Sequence, residues 1–105
     1  MREVMDETFA DEVLASPVPV VVDFWAPWCK LCDAIEPHLV GITEDAGDRV
    51  RLVRMNVDEN LVVPVRYGVL SLPTVMLFAG GDTRVTIYGA HSRAHYEKAF
   101  APFLG

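Results

Sequence analysis

Apolar positions along this chain alternate between helical and strand spacing, and the switches outline its elements. Phe9, Val13 and Leu14 recur at helical spacing after Thr8, with Asp6 or Thr8 as candidate caps, and Ser16-Pro17 closes the segment. Val18 to Trp25 is dense in β-branched and aromatic residues and predicts a central strand, apolar on both faces. After Pro27-Trp28 a helix should begin near Cys29 and run to about Gly47, kinked by Pro37 inside it. Arg51 to Val57 alternates, with Val53, Met55 and Val57 on one side and Leu52, Arg54 and Asn56 on the other, and predicts a strand. A short helix fits between Asp58 and Tyr67, weakened by Pro64 and stopped by Gly68. Thr74 to Phe78, the turn Gly80-Gly81-Asp82 and Arg84 to Tyr88 predict an antiparallel hairpin. Ser92 caps a last helix with Tyr96, Ala99, Phe100 and Phe103 on one face, which Pro102 should end early. The order is a βαβ half, then a hairpin and a helix. It predicts an α/β domain over residues 1–105: a central mixed sheet of four to five strands with helices on both faces.

Composition narrows the function. Half of the 105 residues are apolar, enough for a real core, and the formal charge of −6 argues against a phosphate-binding surface, hence no nucleic-acid partner. Apolar runs such as Val18 to Val22 are far too short to cross a bilayer. The first residues carry acids where a secretory leader would carry basic ones, so a cytoplasmic monomer with no membrane partner is expected.

Only two cysteines occur, Cys29 and Cys32, separated by Lys30-Leu31. A structural disulfide over so short a loop would remove little entropy from the unfolded chain, and a reducing compartment would open it. Chemistry is the better reading. Residues three apart share a helix face, and at a helix N-terminus the sulfurs can reach bonding distance. The first-turn N–H groups, the helix dipole and the adjacent Lys30 all favour a thiolate. Cys29 is therefore expected as the exposed nucleophile and Cys32, one turn in, as the buried resolving thiol. A zinc site is the first rival, but there is no second cysteine pair, and His38, His91 and His95 lie in no ligand spacing. Two cysteines that merely pack are the second. The expectation is no metal and no cofactor beyond the cysteine pair itself.

Asp23 interrupts the central strand between Val22 and Phe24. A carboxylate there is costly unless paired or neutral, and burial should raise its pKa. Its strand ends one turn from the cysteines, so it is a candidate for exchanging a proton with Cys32, directly or through one water. The alternative is a side chain that merely reaches solvent at the strand end.

The run Asp23-Phe24-Trp25-Ala26-Pro27-Trp28-Cys29-x-x-Cys32 resembles the active-site segment of the thioredoxin family. Leu72-Pro73-Thr74 resembles that family's cis-proline loop, Gly89-Ala90 the glycine flanking its substrate groove, and Pro37 the proline of its active-site helix. The resemblance runs collinearly from about Val4 to Leu104. It implies the thioredoxin fold and protein-disulfide reduction, with Cys29 as nucleophile, Cys32 as resolving thiol and Asp23 as proton-transfer group. Trp28, Leu72, Pro73 and Gly89 would form the surface that docks a substrate peptide, together with Lys30 and Leu31 beside the cysteines. The implied partners are proteins bearing disulfides and an electron donor of the thioredoxin-reductase type.

The chain also departs from the family pattern. Lys30-Leu31 stands where Gly-Pro is usual; it frees a first-turn N–H and adds a cation. Both stabilise the reduced form, so the reduction potential should rise by some tens of millivolts, about 30 mV corresponding to about 1.4 kcal/mol. Arg54 stands where the family commonly has lysine. If it reaches Asp23, it should hold that carboxylate ionised, because arginine stays charged. With about five residues before the first helix, the leading edge strand should be short or missing. Rival functions are a disulfide oxidant or isomerase, and a thioredoxin-fold binding module without turnover.

Overall fold

The computed structural model describes residues 1–105 and places eight elements that organise the chain. Strands are β1 (Arg2–Glu3), β2 (Val20–Trp25), β3 (Arg51–Asn56), β4 (Thr74–Ala79) and β5 (Asp82–Tyr88). Helices are α1 (Lys30–Ala46), α2 (Val62–Arg66) and α3 (Arg93–Phe100). The sheet order is β1-β3-β2-β4-β5, with β1, β3 and β2 parallel and β4 antiparallel to both of its neighbours, β2 and β5. This is the mixed sheet of the thioredoxin fold. The leading strand is indeed short, two residues paired with Val53 and Arg54.

Period-two alternation sorts β2 and β3 onto two faces. On one, Val20, Val22, Phe24, Val53, Met55, Met76 and Phe78 pack with Phe9, Val13 and Val63. Phe9, Tyr67 and Phe78 meet there in tilted and edge-to-face contacts, with centroids 5.1–5.7 Å apart. On the other, Val21, Val75 and Leu77 lie under Ile35, Leu39 and Ile42 of α1 and Tyr96 and Phe100 of α3. Each fully buried side chain of this size contributes about 1.5–3 kcal/mol through its removal from water.

Several local expectations change. The first helix is a single π-helical turn, Ala10–Leu14, with Phe9 and Val13 buried. Asp6 does not cap it. Its carboxylate instead accepts the N–H groups of Val62 and Val63 at 3.1 and 2.9 Å, capping α2, while its own N–H donates to buried Asn60. That long-range cap suits a helix of five residues, shorter than the pattern predicts. Helix α1 runs through Pro37 without ending. The hairpin turns on Gly80-Gly81, whose φ values of +62° and +83° suit residues without a Cβ, and Asp82 belongs to the returning strand. Helix α3 stops at Phe100, and Ala101–Phe103 form a 3-10 turn around Pro102, as expected.

Candidate active site

Cys29 sits at the N-cap of α1 in an extended conformation, and Cys32 lies in the first turn. Their Cα atoms are 5.3 Å apart and the two sulfurs are joined in a disulfide. The Cys29 Sγ accepts the backbone N–H of Cys32 at 3.2 Å, so the helix start is capped by the sulfur itself. A donor so placed stabilises negative charge on Cys29 when the bond opens.

Burial corrects one expectation. Cys29 is only 5 % exposed, nearly as covered as Cys32 at 2 %. Both cysteines cluster with Ala26 and are walled by Trp25, Val57 and Leu72, and the Cys29 Sγ faces the Cys32 N–H. What protrudes is the neighbourhood: Trp28, Lys30 and Leu31 are exposed. The Trp28 indole N–H donates to both carboxylate oxygens of Asp58, at 3.0 and 3.3 Å, which holds the ring beside the cysteines.

The Leu72-Pro73 peptide is cis and Pro73 is buried. The Pro73 carbonyl accepts the Gly89 N–H at 2.9 Å, and the Gly89 carbonyl accepts the Tyr96 hydroxyl at 3.2 Å. Gly89 has φ +83°, so this junction between β5 and α3 needs a residue without a Cβ. The backbone N–H and C=O of Leu72 have no intramolecular partner and are free to pair with an extended segment. A recess of about 140 Å³, lined by Trp28, Val57, Val69, Leu70, Ser71 and Leu72, adjoins this loop. Larger recesses elsewhere, about 330 Å³ between α1 and α3 and about 400 Å³ beside Arg2 and Arg51, contain no cysteine.

Asp23 is 1 % exposed, and its Oδ1 has no hydrogen-bond partner. Its pKa is raised to about 7, above all because burial disfavours the charged form; the Glu36 and Glu3 carboxylates raise it further, and Arg54 opposes them. Arg54 opposes the rise, as expected, but the condition on which it would keep Asp23 ionised, direct contact with the carboxylate, is not met. The two residues are register partners across β2 and β3, but the guanidinium turns elsewhere. Its Nε donates to Glu3 Oε2 at 2.8 Å, its NH1 lies 3.6 Å from Glu36 Oε2, and its Cζ lies 4.0 Å from the centre of the Trp25 ring.

The structure thus gathers Cys29, Cys32, Trp28 and Leu72 around one apolar cluster, ties Pro73 to Gly89 beside them, and sets Asp23 in the strand beneath α1. It adds Glu3, Glu36, Asp58 and Tyr96, which the chain pattern does not mark as site residues. Only Glu36 has a local signature, four residues after Cys32 and so on the same helix face. The others arrive from distant segments.

Comparison with known proteins agrees with this geometry. The thioredoxin family model matches residues 1–101. A thioredoxin of Rickettsia bellii is 44 % identical over 90 residues, covering 86 % of each chain. A Streptomyces clavuligerus thioredoxin is 44 % identical over 94 residues, covering 90 % of this chain and 87 % of that one. The chloroplastic M-type thioredoxin of Chlamydomonas reinhardtii is 46 % identical over 101 residues, covering 96 % of this chain and 72 % of that one. With its cysteine pair at the cap of α1 and its sequence matched from end to near end, this chain belongs to the thioredoxin family.

Proposed function

We propose that this protein reduces disulfide bonds in other proteins by dithiol–disulfide exchange at Cys29 and Cys32. The Cys29 thiolate attacks one sulfur of the substrate disulfide, the substrate S–S bond breaks, and the leaving sulfur takes a proton from water. A mixed disulfide now joins Cys29 to the substrate. Cys32 gives its proton to the Asp23 carboxylate and attacks the Cys29 Sγ, which releases the second substrate sulfur and closes the Cys29–Cys32 bond. Two electrons have passed to the substrate, and a donor of the thioredoxin-reductase type restores the dithiol.

The observation that carries this reading is the Cys29 sulfur at the α1 N-terminus, 3.2 Å from the Cys32 N–H and bonded to Cys32. Asp23 suits the proton step because a carboxyl with a pKa of about 7 can accept and release a proton near neutrality. Trp28, Lys30, Leu31, Leu72, Pro73 and Gly89 form the docking surface, the free backbone of Leu72 pairing with an extended substrate segment. We place the work in the cytoplasm, by a monomer. No helix is long and apolar enough to cross a membrane.

Lys30-Leu31 favours a second direction of flux, oxidation or isomerisation, because the added cation and N–H stabilise the reduced pair. A binding module without turnover has no use for a cysteine pair and a buried Asp23 in one small domain. Reduction of insulin by dithiothreitol, followed as turbidity, separates these readings. The native protein should accelerate precipitation and Cys29→Ser should not; no acceleration by the native protein would favour the binding module.

A further inference from the structure

Arg54 is the one cation facing the buried acid, and it is turned away. Asp23 and Arg54 are direct register partners on parallel strands and share the α1 side of the sheet, an arrangement in which a long arginine would ordinarily pair with the carboxylate. Asp23 Oδ1 nevertheless has no partner. The guanidinium is held from three directions instead. Glu3 on β1 takes its Nε through Oε2, while the other Glu3 oxygen accepts the Trp25 indole N–H at 3.0 Å, so Glu3 is itself anchored. Glu36 on α1 approaches NH1 at 3.6 Å, and the Trp25 ring underlies the guanidinium at 4.0 Å.

We propose that Glu36 and Glu3 clamp Arg54 away from the Asp23 carboxylate and act as positioning residues for the proton step at Cys32. The inference rests on the reading of Asp23 as the acceptor of the Cys32 proton. The charge count explains the effect. Arg54 already faces two carboxylates, so ionising Asp23 would place a third anion around one satisfied cation. The charged and titratable groups that act on Asp23 or feel its charge are Glu36 from α1, Arg54 from β3, Glu3 beyond it on β1 and the Tyr96 phenol from α3; its register partner on β4 is the uncharged Val75. Remove Glu36, and the α1 side of the clamp opens. Arg54 is then free to turn to Asp23 and hold it ionised, and a carboxylate so held is a poor proton acceptor.

The test is a carbon-13 NMR titration of the Asp23 carboxyl in the oxidised protein, where no thiol titrates. Glu36→Gln should lower the Asp23 midpoint by about one pH unit. In an Arg54→Gln background the same change should move it by less than half as much, because the clamp has nothing left to hold. A midpoint unmoved by Glu36→Gln overturns the proposal. So does an equal shift with and without Arg54, which would make Glu36 a bystander charge rather than a clamp. The pH profile of insulin reduction separates this from the underlying reading: it should follow the Asp23 midpoint in Glu36→Gln. A moved midpoint with an unmoved profile upholds the clamp and removes Asp23 from the proton step.

Discussion

Strand β2 presents two unlike faces, and the contrast separates what holds this protein together from what makes it reactive. Val20, Val22 and Phe24 point into an apolar cluster completed by Phe9, Met55, Met76 and Phe78. Val21, Asp23 and Trp25 point the other way, beneath α1, where a carboxyl lies buried without a partner at Oδ1 beside an arginine bound elsewhere. Six consecutive residues serve both ends because successive side chains leave a strand on opposite sides. One face lowers the free energy of the fold; the other carries a destabilising carboxyl, the group proposed to take the Cys32 proton.

The largest effect should come from the apolar face. Phe78→Ala removes a fully buried ring that meets Phe9 and Tyr67, and should cost about 3–5 kcal/mol in denaturant unfolding. The pH profile of disulfide reduction should stay in place; a shifted profile would mean the faces are not independent.

On the opposite face the sign reverses. A free aspartate releases its proton near 3.8 and folded Asp23 near 7, so between these values the folded state binds more protons than the unfolded chain. Native stability contributed by this group is therefore fully present below about pH 4 and lost as the pH rises through 7, a difference on the order of 4 kcal/mol. Asp23→Asn should be more stable than the native protein at pH 8 by about 2 kcal/mol, less than the full amount because the buried amide still lacks a partner. That lead should reverse near pH 4, to a deficit of about 2 kcal/mol, because the amide's penalty persists where the carboxyl is protonated in the folded chain. Unfolding curves at the two pH values check it, and an equal difference at both would mean that Asp23 titrates alike in the folded and unfolded chain.

Smaller effects should appear at the rim. Replacing Lys30-Leu31 by Gly-Pro should lower the reduction potential by about 30 mV, or about 1.4 kcal/mol, in a glutathione titration, with the native protein above about −270 mV. A native value at or below that figure would refute the oxidising shift. Asp58→Ala should free the Trp28 indole and raise KM for a protein substrate by about two- to tenfold, as expected for one lost hydrogen bond, with kcat unchanged.

Much of this was legible in the chain because its signals are local. The β2 run, the alternation Val53-Met55, the Gly80-Gly81 turn and Ser92 as cap each act within a few residues, and each element appears where its pattern puts it. The cysteine spacing and the aspartate two strand positions before Trp25 mark the reactive end in the same way. Three features were not legible, for one physical reason. Asp6 caps a helix more than fifty residues away, Glu3 reaches Arg54 across a strand pair, and Cys29 is covered by Val57 and Leu72 from other segments. Side-chain destinations of this kind depend on tertiary approach, which no spacing encodes. Arg54 shows it best, since its position beside Asp23 was readable and its choice of partner was not.

The division of labour between the two cysteines is tested most directly by trapping. With Cys32→Ser no resolving thiol remains, so the variant mixed with a disulfide-bearing protein should accumulate a mixed disulfide that mass spectrometry of the digest assigns to Cys29. Cys29→Ser should accumulate none. A substrate linked to Cys32 in that second variant as readily as to Cys29 in the first would contradict the account.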